Sequence, residues 1–136
     1  MITAVDTNVL LDVFGADHTY GARSRKAIGS CLTEGGLVAC EVVWAEVASF
    51  FPSPDAAQDA MDRMGVEFSP IEVKTALAAS TAWKAYRSRG GRRDRVVADF
   101  LIGAHALSQA DRLLTRDRGF YRAYFSRLRV LDPTRG

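Results

Sequence analysis

Four acidic residues stand where an α/β chain places its chemistry. Asp6 ends the short apolar run ITAV, Glu46 lies about a turn into EVVWAEVASFF, Asp99 interrupts VVADFLIGAHAL, and Asp117 follows RLLT directly. In parallel α/β sheets, ligands bind beyond the carboxyl ends of the strands, near the point where strand order reverses. Acids from four separate strand–helix units can therefore meet at one end of one sheet. Carboxylates brought together raise each other's pKa unless a cation neutralises them. Mg²⁺ and Mn²⁺ prefer oxygen ligands, and such ions can activate a water and stabilise the leaving oxygen of a phosphodiester.

Each acid alone has a plainer role: Asp6 as a helix cap, Glu46 as a surface residue of an amphipathic helix, Asp117 as a turn or cap residue. Asp99 fits such a role least. Its neighbours Val96, Val97, Phe100, Leu101 and Ile102 are apolar, and buried charges need partners. Asp94, five residues earlier, is the alternative for the same position. No nitrogen or sulfur cluster competes. His18 and His105 are isolated, and Cys31 and Cys40 lack a metal-type spacing. His105 reads as a packed helix residue and the cysteines as small, reduced core residues.

The elements that must position these acids alternate in type. ITAV (2–5) reads as a buried strand and TNVLLDVF (7–14) as a helix capped by Asp6 or Thr7. A second helix spans about 19–32 and stops at Gly35-Gly36. LVAC (37–40) is a strand, EVVWAEVASFF (41–51) a helix ended by Pro52 and Pro54, and DAAQDAMDRMG (55–65) a short polar helix. VEFS (66–69) is a third strand, and Pro70 suits the first turn of a long helix reaching 89. Gly90-Gly91 breaks it, and the loop GGRRDR leads into VVADFLIGAHALSQ (96–109), helical in its latter part. RLLT (112–115) is a strand, RGFYRAYF (118–125) a short helix, LRVLD (128–132) a final strand. Short apolar strands alternating with helices imply one α/β domain over 1–136, with a central parallel sheet of four to five strands flanked by helices in three layers.

The bulk numbers bound the function classes. The 136 residues suit one domain, and 48% hydrophobic with 25% charged is an ordinary globular balance. No run approaches the ~18 apolar residues of a membrane span, and the N-terminal residues lack a signal-peptide pattern, so a cytoplasmic location is expected. The net charge of +2 conceals an asymmetry: residues 87–136 hold 12 Arg and no Lys against five Asp and no Glu. Such a segment suits a polyanion, or else a set of solvated helix faces.

DTNVLLD, VVWAEV, ADFLIGAHAL and LLTRDRGFYRAYF together resemble the motifs of the PIN-domain nucleases, and most of all those of the VapC toxins of toxin–antitoxin pairs. The resemblance runs from Val5 to Pro133. DTN alone is weak; the four motifs in this order and spacing are specific. The resemblance implies a PIN-like fold and an acidic quartet at Asp6, Glu46, Asp99 and Asp117, with divalent metal (Mg²⁺, Mn²⁺ as the other option) on Asp6, Asp99 and Asp117. Asn8 and Thr115 would support the quartet. The activity implied is endoribonuclease cleavage of tRNA- or rRNA-class RNA that blocks translation. A small VapB-like antitoxin and a homodimer would be the partners. Trp44, Phe50, Phe51, Trp83 and Tyr86 could serve such contacts, although core packing suits several of them better. Arg89, Arg92, Arg93 and Arg95 before Asp99, and Arg116 and Arg118 around Asp117, would hold RNA phosphates, unless some pair internally with Asp94 or Asp111.

Three other readings fit less well. A haloacid-dehalogenase-like phosphotransferase needs a second aspartate two residues after the first, where Asn8 stands. A non-catalytic binding module would have no use for an intact quartet. A housekeeping RNA-processing nuclease of the same fold differs only in partner and target.

Overall fold

The computed structural model describes residues 1–90 and 96–135. Along the chain run β1 (Ile2–Val5), α1 (Thr7–Phe14), α2 (Gly21–Glu34), β2 (Gly36–Ala39), α3 (Glu41–Ala48), α4 (Pro54–Met64), β3 (Val66–Phe68), α5 (Val73–Ser88), α6 (Val97–Gln109), β4 (Arg112–Leu114), α7 (Arg118–Tyr124) and β5 (Val130–Leu131). The strands form one sheet in the order β3-β2-β1-β4-β5, every pair parallel. Thr3 stands opposite Leu37 of β2 on one side and Arg112 of β4 on the other.

The central strands explain the layering. In β1 three successive residues are buried, as they are in β2 and β4. Successive side chains point to opposite faces, so both faces of the sheet are covered by helices. The edge strands are less buried: Glu67 and Phe68 of β3 are exposed and β5 is half-buried. The core runs from Val5, Leu37, Leu113 and Leu114 in the sheet to Val9 and Leu10 of α1 and Phe100 of α6. Cys31 and Cys40 lie in it as free thiols.

Strand order turns at β1. The chain builds outward through β2 and β3, then crosses to β4 and β5 on the other side. The switch in strand order therefore lies between β1 and β4, whose carboxyl ends are where such sheets place a site. The two strand ends are joined there by the backbone, with Asp6 N–H donating to Leu114 O at 2.9 Å.

Some boundaries differ from those expected. Pro70 precedes its helix instead of opening it, because side chains from other elements hold 70–72 outside it and take the Pro70 carbonyl that a first turn would offer to the N–H four residues on. Ile71 N–H binds the Glu41 carboxylate at 3.0 Å, Glu72 N–H binds Gln109 Oε1 at 3.0 Å, and Gln109 Nε2 binds Pro70 O at 2.9 Å. The helix carrying Glu46 stops at Ala48, short of Pro52. There Phe50 and Phe51 tighten to bonds three residues back, on Val47 and Ala48. α6 is helical from Val97 rather than only in its latter part. The expected GGRRDR loop lies beyond Gly90 outside the described residues. Of the five aromatic residues expected to serve either core or partner, Tyr86 is buried, Trp44, Phe51 and Trp83 are half-buried, and Phe50 is exposed.

α6 lies close to the C-terminal segment at Gly103. A β-carbon there would sit 2.5 Å from Phe125 Cε2, and Phe125 is itself buried. We expect Gly103→Ala to destabilise the domain by about 1–3 kcal/mol through overpacking. Urea denaturation would show it, and an unchanged midpoint would contradict this packing.

Candidate active site

Asp6 is the N-cap of α1, and this local role fixes its backbone at the end of β1. Its Oδ1 accepts from Thr7 N–H at 2.8 Å. Its Oδ2 accepts from the Thr115 hydroxyl at 2.8 Å, the Tyr121 hydroxyl at 3.2 Å and Asn8 Nδ2 at 3.4 Å. The side chain is thus held by groups from β1–α1, from the end of β4 and from α7. Burial pushes its carboxyl from 3.8 up to about 6, against the lowering effect of the Thr115, Thr7 and Tyr121 donors, and the Asp99 charge raises it further. Desolvation disfavours the charged form and outweighs three hydrogen bonds that favour it.

The other acids reach this point in different ways. Asp99 acts electrostatically on both Asp6 and Tyr121, and Asp117 acts on Tyr121. The Tyr121 hydroxyl therefore lies in the field of all three aspartates. Its pKa is raised well above 10, by burial first and then by Asp6 and Asp99, so it remains a proton donor. Glu46 is exposed on α3, and its Oε1 accepts from the Thr7 hydroxyl at 2.7 Å, one residue from Asp6. Among the described residues, no three His, Cys, Asp or Glu side chains are grouped closely enough to hold an ion by themselves.

Asn8 and Thr115, the two polar residues expected to support the acids, both contact Asp6. Thr115 donates to Asp6 while its Oγ accepts from Asp117 N–H at 3.0 Å. Asn8 bridges Asp6 and Thr115 through Nδ2 and accepts from Arg116 N–H through Oδ1 at 3.2 Å. Tyr121 was not singled out from the sequence. The only signal was its place in LLTRDRGFYRAYF, four residues after Asp117, where a helix brings it back over the strand end.

The arginines divide. Arg89 is exposed at the C-terminus of α5, and Arg118 is partly covered at the start of α7. Arg118 has its pKa lowered by desolvation first and then by the charges of Arg122 and Arg135, which marks a local concentration of positive charge. Arg92, Arg93 and Arg95, with Asp94, lie outside the described residues. Arg116 turns inward: Nε meets Asp12 Oδ2 at 2.7 Å, Nη2 meets Asp12 Oδ1 at 3.0 Å, and the guanidinium stacks on the Tyr20 ring at 4.0 Å. Internal pairing was anticipated for some arginines, but here the partner is Asp12. Arg112 also faces inward, bonded to Thr3 at 2.9 Å and Glu34 at 3.0 Å. His105 is buried, with Nε2 2.9 Å from the Ser69 hydroxyl, as a packed helix residue should be.

A doubly wound parallel sheet with Asp6 at the end of its central strand, and Asp99 and Asp117 acting electrostatically on the same region, is an α/β domain of the kind that places its site at the switch in strand order. A family model described as the PIN domain, a nuclease fold, matches residues 3–126, and the chain belongs to the PIN-domain family. Its fold is similar to that of VapBC-1 from nontypeable Haemophilus influenzae, with a TM-score of 0.76 and 19% identity over 99% of this chain and 100% of that one. It is similar also to VapBC2 from Rickettsia felis bound to a promoter DNA fragment (TM-score 0.75, 17% identity, 97% and 98% covered). A toxin–antitoxin complex from Klebsiella pneumoniae matches with a TM-score of 0.68 and 19% identity over 96% of this chain and 97% of that one. No curated protein matches the sequence.

The raised Asp6 carboxyl has a measurable consequence. Its folded value near 6 lies above its unfolded value, so the neutral acid suits the fold below about pH 4 and stability is lost as pH rises through 6. The rise corresponds to roughly 3 kcal/mol of ionisation cost at neutral pH. In Asp6→Asn the Thr115 and Tyr121 hydroxyls can rotate to meet the amide. With chelator present, we expect Asp6→Asn to gain about 1–3 kcal/mol on the wild type between pH 4 and pH 7 in urea denaturation. Parallel pH–stability curves would contradict the buried, protonated carboxyl.

Proposed function

We propose that this chain is a divalent-metal-dependent endoribonuclease, the toxin of a type II toxin–antitoxin pair, which cuts tRNA- or rRNA-class RNA and so blocks translation. The observation that supports this most is the buried Asp6 carboxylate held by Thr115, Tyr121 and Asn8 at the switch point of a PIN domain, within reach of the Asp99 charge. The donor set fits Mg²⁺ or Mn²⁺. It is all oxygen, and Asp6 carries an ionisation penalty, increased by Asp99, that a cation would relieve. Mg²⁺ takes one or two carboxylates and keeps several waters, so a site without three clustered acids suits it. Asp6 and Asp99 would hold the ion directly and Asp117 through one of its waters; when bound, the ion supplies a polarised water and stabilises the departing oxygen of the phosphodiester.

The remaining work falls to the chain's own residues. Thr115, Tyr121 and Asn8 keep the Asp6 carboxylate in one orientation, which avoids reorganisation during reaction. Glu46, fixed through Thr7, is the acid best exposed to accept a proton from water. Arg89, Arg118 and the arginines at 92, 93 and 95 would grip RNA phosphates by charge-assisted, often bidentate bonds. Arg118 is next to Asp117 in sequence, so backbone binding and cleavage would be adjacent.

The partners would be a small VapB-like antitoxin and a second copy of this chain. The toxin–antitoxin complexes among the similar folds support this, as do the apolar side chains that α5 and α6 expose at Val73, Leu77 and Leu107. No helix among the described residues is long and apolar enough to cross a membrane, in keeping with a cytoplasmic site of action.

RNA cleavage should cease in excess EDTA and return with Mg²⁺ or Mn²⁺. Asp6→Asn, Glu46→Gln and Asp99→Asn should each reduce the rate by roughly 10²–10⁴-fold with the fold retained, and Asp117→Asn by less if it acts through water. Sequencing RNA ends after brief expression, wild type against Asp6→Asn, would identify the target. Cleavage that persists in EDTA would exclude the metal mechanism. A monomer that cleaves RNA, leaves growth unaffected and co-purifies with no small partner would instead indicate a housekeeping nuclease.

A further inference from the structure

We propose that Asp12 and Arg116 form a positioning pair, gripping the turn between β4 and α7 from α1, so that Arg116 serves the site through Asp117 and not by binding RNA. This builds on the nuclease reading above and assigns roles to two residues which that reading leaves unused or places on RNA.

Three points on α1 hold three successive points on the turn. Asp6, at the helix N-cap, takes the Thr115 hydroxyl. Asn8 takes the backbone N–H of Arg116 at 3.2 Å. Asp12 lies four residues after Asn8 and so on the same helix face, and it takes the Arg116 guanidinium through both oxygens at 2.7 and 3.0 Å. Residue 116 is thereby pinned by its main chain and its side chain, and Asp117 is the next residue.

Asp12 is also fully engaged. It is 5% exposed, and Oδ2 accepts in addition from the Ser24 hydroxyl of α2 at 2.8 Å. A buried acid with three charge-assisted or hydroxyl donors is a fixed strut. Tyr20, just before α2, covers the guanidinium face at 4.0 Å. With Nε and Nη2 on Asp12 and one face on an aromatic ring, Arg116 offers a phosphate little of its fork. Groups that orient metal-binding carboxylates from outside matter nearly as much as the carboxylates themselves.

The test uses Asp12→Asn and Arg116→Lys. The second keeps the charge opposite Asp12 but loses the planar fork, and so places less strain on folding. Mn²⁺ affinity is measured by calorimetry, and kcat, KM and the salt dependence of kcat/KM on an RNA substrate. Each variant is expected to bind Mn²⁺ about 10-fold more weakly and to lose about 10–100-fold in kcat, with KM and the salt slope unchanged. The double variant should be no worse than either single one. Wild-type Mn²⁺ affinity in both variants, alongside a lowered melting temperature, would reduce the pair to a structural role and overturn the proposal. So would an Arg116→Met variant whose KM rises and whose salt slope falls by about one, the mark of a phosphate contact. If the wild type cleaves no RNA, the nuclease reading fails, and the Mn²⁺ affinities still decide the pair. A wild type that binds no Mn²⁺ overturns it.

Discussion

A carboxylate buried at the end of the central strand governs much of this molecule. Asp6 is placed by two demands that coincide: capping α1, and ending β1 where strand order reverses. Burial opposes its ionisation more strongly than three donors favour it. The surrounding residues answer that imbalance. Thr115 and Tyr121 supply hydroxyls that can serve either protonation state, and Asn8 ties the same oxygen to the neighbouring turn. The buried carboxyl is therefore held at the expense of stability at neutral pH, where its ionised form is disfavoured by desolvation.

The aromatic packing behind the site is the second constraint. Phe100 follows Asp99 and is fully buried, with ring centroids 5.2 Å from Phe120 and 5.4 Å from Tyr86. Phe120 in turn lies 5.0 Å from Tyr121. Asp99 on α6 and the Tyr121 hydroxyl on α7 are therefore positioned by one cluster of rings in edge and tilted contacts, the arrangement aromatic pairs prefer. This packing resolves how an aspartate can sit in VVADFLIGAHAL: one residue anchors the helix in the core while its neighbour is left half-buried at the rim.

Charge is used in two opposite ways in the arginine-rich third of the chain. Arg112 and Arg116 face inward to Glu34 and Asp12, where planar forks satisfy acids from distant segments. Arg89 is exposed, and Arg118 lies near Arg122 and Arg135, where repulsion is tolerated. Like charges that lie side by side at the surface keep their ionisation because water screens them.

The sequence alone determined the order of elements and the parallel α/β class, and it pointed to four acids with Asn8 and Thr115. Strand and helix periods are local properties, and a carboxylate after an apolar run has few purposes. DTN, the aspartate of ADFLIGAHAL and the TRD turn were legible for that reason. What only the tertiary structure decided was partnership. Arg116 and Arg118 are alike in sequence, one on each side of Asp117, yet the first closes on Asp12, 104 residues away, and the second does not. Tyr121 reads as one more aromatic of a short helix until folding brings its hydroxyl to Asp6. Pro70 reads as a helix start until Gln109 claims its carbonyl, with Glu41 and Gln109 holding the next two backbone N–H groups. Each of these depends on which distant group arrives, and long-range contacts leave no period or spacing in the chain for a local reading to detect.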